Sequence, residues 1–319
     1  MLNPVLMGGA DTLFRYVAGD SLAAATFARG STAKYLDVSS VLQSAASGIA
    51  RDGHYIGGVR HLLLESQRTN LCLRSENFSN AVWAKDPTTT VTIDTDVAPD
   101  GATTADTLTA TGGTGDTIRQ QVTFTGDGTK VISLFVKQGT SSGTDIAVFD
   151  QTASAFRHKA RISWSGGVPS LATVTGSGTL YSVTAVANSF YRIAISAASV
   201  VAANTNLFYI YPSPLTGTGT VIVWGAQAED GAFATSYAST VAATVTRSAD
   251  NLSAWGNGFV AQTTTLYEKY WDLATEAYVE NLDTSSRSSV PTPSVNRAYT
   301  RLVLARGTKT LAQMQAVAG

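Results

Sequence analysis

Charge is scarce in this chain. Only 14 % of its residues are Asp, Glu, Lys or Arg, against roughly 25 % in an ordinary soluble protein, and the formal net charge is −1. There is no basic block, and a protein that follows nucleic-acid phosphates needs clustered Lys and Arg, so no nucleic-acid partner is expected. No apolar run is long enough to span a bilayer, so no membrane insertion is expected. The opening MLNPVLMGGADTLFRYVAG lacks a basic segment followed by a continuous apolar one, and no secretory signal is read there. A single cysteine, Cys72, excludes an internal disulfide framework; within TNLCL it reads as a small buried hydrophobe. Synthesis in a reducing cytoplasm follows.

Where charge is missing, Thr, Ser, Ala and Gly cover the surface, as in DTLTATGGTGDT and VTGSGTLYSVTAVANS. Thr favours strands while Ser and Gly supply turns, so the composition leans to all-β. Strands are predicted at Thr90–Ile93, Ile118–Phe124, Val131–Lys137, Asp145–Phe149, Lys159–Trp164, Tyr181–Ala185, Tyr191–Ser196, Leu207–Tyr211 and Val221–Ala226. Gly and Asp clusters separate them, the pattern of an antiparallel β-sandwich or jelly roll. Val131–Lys137 and Val221–Trp224 are apolar on both faces, as central strands covered on two sides would be. A short helix is entertained at Val38 to Ala46. At the other end Arg301 to Ala305 reads as a strand, Gly307 as a turn, and Thr310 as the cap of a short helix with Leu311, Met314 and Val317 on one stripe. The expected organisation is a β-rich portion over 1–74, a jelly roll over 75–239 and a β-rich portion over 240–319 ending in that helix, with the first and last portions packing together.

Several segments carry a family likeness. HLLLESQRTNLCLRSENFSNAVW resembles a signature of phage and prophage virion structural proteins, an LLLE-x-x-RTNL strand leading into SE-x-F-x-x-x-W. VAPDGATTADTLTATGGTGDTIRQQVTFTGDGTKVISLFVK resembles the opening strands of a carbohydrate-binding-module-like jelly roll in the same proteins, and VIVWGAQAEDGAFATSYAST its closing strand. YTRLVLARGTKTLAQMQAVAG is similar to the ending of concanavalin-A-like and laminin-G-like domains. The likeness covers most of the chain from Phe27 onward. It implies a virion surface protein (tail fibre, baseplate, or head fibre or decoration) made in the host cytoplasm. It also implies other virion proteins as partners, a homo-oligomer with a trimer favoured, and a jelly roll that binds either a host surface glycan or a neighbouring virion protein.

The candidate residues fall into two sets. Trp164, Tyr181, Tyr209 and Tyr211 are candidate ligand-binding aromatics, because the C–H faces of sugars stack on flat rings; Tyr209 and Tyr211, two apart on a strand, share a face. The competing reading places such rings in the core. Glu65, Arg68, Thr69 and Asn70 read as a structural motif, an ion pair with Thr69 and Asn70 bonding backbone at a strand end. Trp224, Gln227 and Glu229 read as architectural. Carboxylates work as glycosidase pairs when held about 5–10 Å apart, yet neither Glu65 with Glu229 nor Asp94 with Asp96 has a catalytic pattern beside it, and the chain is expected not to be an enzyme. His54, His61 and His158 have no metal-site spacing, so no metal centre is assigned. The loop Asp94 to Gly101 superficially resembles a calcium loop but lacks the bidentate Glu, which leaves Ca²⁺ the one ion entertained and no cofactor. Two further functions remain open at this stage: a purely structural decoration or connector protein, and a polysaccharide depolymerase.

Overall fold

The computed structural model describes residues 12–18, 25–181, 183–253, 261–289 and 291–318. Strands take up 56 % of it and helix 4 %, so the fold is all-β, as the composition implies. In chain order the first strands are β1 (Thr12–Val17), β2 (Thr26–Ala28), β3 (Ala33–Leu36), β4 (Leu42–Ala45), β5 (Arg51–Ile56), β6 (Val59–Leu64), β7 (Arg68–Asn70) and β8 (Ala84–Lys85). Next come β9 (Thr89–Val97), β10 (Thr103–Ala110), β11 (Ile118–Val122), β12 (Gly128–Gln138), β13 (Gly143–Asp150), β14 (Ala155–Ser165), β15 (Val168–Gly176) and β16 (Thr184–Ala185). The last are β17 (Tyr191–Val200), β18 (Asn206–Tyr211), β19 (Gly219–Asp230), β20 (Val245–Arg247), β21 (Asn251–Ser253), β22 (Gln262–Asp272), β23 (Ala277–Arg287) and β24 (Arg297–Arg306), before helix α1 (Leu311–Ala318). The chain forms two compact units, one from residues 1–38, 44–67 and 248–319, the other from 39–43 and 68–247.

The second unit is a sandwich of two six-stranded antiparallel sheets, ordered β16-β17-β12-β19-β10-β9 and β15-β14-β13-β18-β11-β8. From β10 to β19 the chain repeatedly crosses between them, giving β17-β12-β19-β10 against β14-β13-β18-β11, which is jelly-roll order. Period-two alternation fills the interior: on β14, His158, Ala160, Ile162 and Trp164 are buried while Lys159 and Arg161 turn outward. Leu108, Ile118, Ile132, Leu134, Ile146, Val148, Phe208, Ile210, Val221 and Val223 join them in one core. Burying each such side chain contributes about 1.5–3 kcal/mol. Between β12 and β19 the register shifts across Ser133 and Phe135, and Gly225 takes a φ of 61°. A side chain there would stand 2.8 Å from the Phe135 ring, so only glycine fits.

Three local expectations are corrected. The segment Val38 to Ala46 is not helical; it holds the strand Leu42–Ala45, where Leu42 and Ala45 are buried. Of the strand predicted over Tyr181–Ala185, the described residues form a strand at Thr184–Ala185, while the Tyr181 N–H separately bonds Ala194 O (3.2 Å). Of the longer strands of the sandwich, two were not predicted: β10 is a run of Thr and Ala with one Leu, and β15 carries Pro169 at a sheet edge.

The first unit is built on the sheet β23-β22-β24-β6-β5, with β1 also paired to β24. Tyr16, Leu62, Leu64, Leu266, Tyr270, Tyr299, Leu302 and Leu304 cluster on one side. In a second cluster Met314 and Ala318 of α1 pack on Tyr267, Val303 and Ala305. The helix begins with a capping box: the Gln313 N–H donates to Thr310 Oγ1 (3.3 Å) and the Thr310 N–H to Gln313 Oε1 (2.9 Å). Its buried stripe is Met314 with Ala318; Leu311 is 40 % exposed, because an eight-residue helix lays only one short stripe on the sheet. A buried ion network ties the unit together. Arg51 donates to Glu65 (2.6 Å) and to Asp250, and Arg29 donates to Asp250 (3.0 Å). Removing one partner of such a network strands a buried charge, at about 3–5 kcal/mol.

Candidate functional site

The two outer faces of the sandwich are finished differently. On the sheet containing β12 and β19, the chain that follows β19 folds back as a cover. Glu229 accepts the backbone N–H of Thr235 (3.0 Å) and its hydroxyl, while Gln227 donates to Thr235 O and accepts from the Ala238 N–H (2.8 Å). Tyr237 then lies on Trp224 (4.9 Å between centroids) and on Phe135 (5.7 Å). Phe233 and Ala234 pack on Val131, Tyr181 and Ala194. Trp224 is fully buried and donates from Nε1 to Thr104 Oγ1 (3.0 Å).

The opposite sheet carries aromatic and charged side chains outward. Strand register puts Arg161, Asp145 and Tyr211 in one row across β14, β13 and β18, and Lys159, Ala147, Tyr209 and Arg119 in the next. Tyr209 and Tyr211 stack, with centroids 5.7 Å apart and planes at 20°. Phe149 meets Tyr209 edge-on at 5.6 Å. Cations flank the pair: the Arg119 guanidinium lies 5.6 Å from the Tyr209 centroid and Lys159 Nζ 3.7 Å from that of Tyr211. Two carboxylates fix those cations. Asp145, fully buried, accepts from Arg161 Nη2 (3.0 Å) and Lys159 (3.1 Å), and Asp86 accepts from Arg119 (2.7 Å).

Protonation on this face is set by burial and by these partners. Burial pushes the Tyr209 phenol up, with Arg119 pulling against it; burial, then Tyr209 and Asp145, push Tyr211 further. Both rings therefore present neutral hydroxyls at neutral pH. Neither hydroxyl has a protein partner among the described residues, and neither is a buried unpaired group. Burial also raises the Asp86 carboxyl, but the Thr117 hydroxyl and Arg119 outweigh it and leave the group below its ordinary value. The partly exposed Tyr209 ring, the uncommitted hydroxyls and the cations held in place form a polar aromatic surface, with Tyr211 stacked beneath Lys159 and mostly covered.

The four aromatics picked from sequence do not meet. Tyr209, partly exposed, and Tyr211, 8 % exposed, lie together on the outer face. Trp164 points into the sandwich core beside Tyr191, since its β14 position has inward parity. Tyr181 lies under the cover of the other sheet, its hydroxyl donating to Ala232 O. Trp164 and Tyr181 thus belong to packing, which corrects their place in a ligand site. Arg119, Asp86, Asp145, Lys159, Arg161 and Phe149 were not singled out; the one sequence signal for them is the outward Lys159-x-Arg161 alternation on a predicted strand.

The motif residues have structural roles. Within its own unit buried Glu65 pairs with Arg51, 14 positions earlier across the β5–β6 hairpin, and Asp250 accepts from both the Arg51 side chain and the Glu65 backbone N–H (2.8 Å). Arg68 lies 5.6 Å from the Phe233 ring centroid, and Thr69 bonds the Thr246 hydroxyl (2.7 Å). Asn70 donates to Ala226 O and Ala238 O and accepts from the Cys72 and Ala228 N–H groups. His54 and His61 face each other across β5 and β6, and burial drives their pKa values down to about 3 and about 4. His158 bonds Ser196 O (2.5 Å) and Thr173 Oγ1 (3.1 Å). Among the described residues no group of three or more His, Cys, Asp or Glu could hold a metal ion, and no helix is long and apolar enough to cross a membrane.

No family model and no curated protein matches the chain. Among solved structures it is similar to the enzymatically active domain of tailspike protein 4 of bacteriophage CBA120, at 14 % identity and a TM-score of 0.30. That likeness covers 50 % of this chain and 21 % of the other. It corrects one expectation: the similar domain is enzymatically active, so the reading of this chain as non-enzymatic is withdrawn. At that TM-score the likeness assigns neither a fold nor an activity in its place.

Proposed function

We propose that the chain is a surface protein of a phage particle whose jelly roll recognises a glycan on the open sheet face around Tyr209 and Tyr211. The observation that carries the glycan reading is the stacked Tyr209–Tyr211 pair, held by flanking cations with its hydroxyls uncommitted. Support for the particle comes from the LLLE-x-x-RTNL and SE-x-F-x-x-x-W segments, which resemble virion structural proteins. Recognition at such a shallow platform is weak per site and gains strength from many copies on one particle.

Fitting the chain into a cryo-EM map of intact particles tests this reading. Density at an exposed position with the Tyr209 face open to solvent supports it. Density in which a neighbouring protein covers that face sinks the glycan role and makes the chain a connector. Reducing ends released when host polysaccharide is incubated with the chain would assign cleavage as well as binding.

A further inference from the structure

Every sheet that does not close on itself ends in strands whose outward N–H and C=O groups invite pairing, and proteins normally blunt them. Most long edges here are blunted. β15 carries Pro169 and a register shift against β14; β9 has two shifts against β10, with Asp94 in the left-handed region; β5 and β1 each have a shift; β8 and β16 are two residues long. β23 is the exception. Its eleven residues, AYVENLDTSSR, pair with β22 in unbroken register from Gln262–Arg287 to Asp272–Ala277, with no proline and no lysine. Among the described residues β23 pairs with no other strand.

The edge is also rigid. Glu280 accepts from Tyr267 (2.5 Å) and from Gln315 of α1 (2.8 Å), Asn281 donates to Glu268 (3.2 Å), and Thr284 bonds Thr265 (2.9 Å). Tyr278 bonds His61 (3.1 Å). Side chains thus fix β23 to its own sheet, while its free edge runs beside Leu282 and Tyr278, 37 % and 46 % exposed.

We propose that β23 pairs antiparallel with β23 of a second copy of this chain, about a two-fold axis at Leu282. The sequence is complementary to itself in that register. Leu282 meets Leu282, so the exposed leucines cover each other. Asn281 stands opposite Asp283, an amide beside a carboxylate. Glu280 stands opposite Thr284, Val279 opposite Ser285, Tyr278 opposite Ser286 and Ala277 opposite Arg287. No like charges oppose each other, which cross-strand pairing requires. The result is one sheet continuous through two chains with an isologous interface. It differs from the three-fold assembly implied by the virion-protein resemblance.

Light scattering of the full chain, combined with single-cysteine cross-linking, tests the pairing. Cys72 is fully buried, so cysteines placed on β23 are the ones that react. The wild-type chain is expected at about twice its 33.3 kDa, with Leu282→Pro shifted to monomer and a folded far-UV spectrum retained. Leu282→Cys is expected to form a disulfide-linked dimer under mild oxidation, whereas Thr284→Cys, facing Glu280, is not. A monomer at all concentrations overturns the proposal. So does any oligomer that Leu282→Pro leaves intact, or equal cross-linking by the two cysteine variants.

Discussion

The two outer faces of the sandwich use the same residue types for opposite ends. Each carries an aromatic cluster, a carboxylate that accepts several hydrogen bonds, and an arginine beside a ring. On the β12–β19 side Trp224, Phe135 and Tyr237 are sealed by the chain after β19, and Glu229 serves the backbone of that cover. On the β13–β18 side Tyr209 and Tyr211 sit in a row of charged neighbours, and Asp145 and Asp86 serve cations. The difference lies in whether a later segment returns over the rings. An aromatic cluster is therefore not a site until the path of the whole chain is known.

The largest effect that separates the faces is Trp224→Ala. Emptying that closed cluster should cost about 3–5 kcal/mol in urea unfolding, the range for deleting a buried large aromatic. Tyr209→Ala should cost less, about 1–2 kcal/mol, since its ring is partly exposed and only partly loses burial. Equal costs would break the contrast. Next in size is Glu229→Ala, which leaves the Thr235 N–H and hydroxyl without their acceptor. A loss of about 1–3 kcal/mol is expected, with faster hydrogen exchange over residues 231–240 and none over β18.

On the open face, the expected loss is in binding. Tyr209→Ala should weaken glycan binding at least about tenfold, equivalent to about 1.4 kcal/mol, while Trp224→Phe should leave affinity unchanged in the folded protein. The smallest effect concerns pH. Asp86 has a folded pKa below its ordinary value, so its contribution is complete above the unfolded pKa and is lost only as pH falls through the lower folded one. Arg119 should stay clamped, and binding stay flat, from pH 7 down to about 4. Asp86→Asn should shift stability by no more than about 1 kcal/mol, because both side chains of the pair are partly exposed. An NMR titration of the Asp86 carboxyl checks the sign.

Much of the all-β architecture was legible because apolar alternation and Gly–Asp turns mark strands locally. β12, β13, β14, β17, β18 and β19 all show one or the other. β10 did not, since TTADTLTA buries its small residues Ala105 and Ala110 without looking apolar. Half of the platform was legible too: Tyr209 and Tyr211 share parity on any strand. In NLFYIY, however, both parities are apolar or aromatic, so nothing local says which one faces out. Register with β13 and β11 decides it, and those strands lie tens of residues away. The same non-locality hid Arg119, Asp145 and Lys159. It also hid the Arg51 partner of Glu65.

Glycan recognition by the open face is tested most directly by titrating the purified chain and its Tyr209→Ala variant against host surface polysaccharide, with the fold of each followed by circular dichroism. The account predicts saturable binding by the wild-type chain and at least about a tenfold loss in the equally folded variant. Binding that survives Tyr209→Ala unchanged, or no binding of bacterial surface polysaccharide by the wild-type chain, would contradict the proposed recognition.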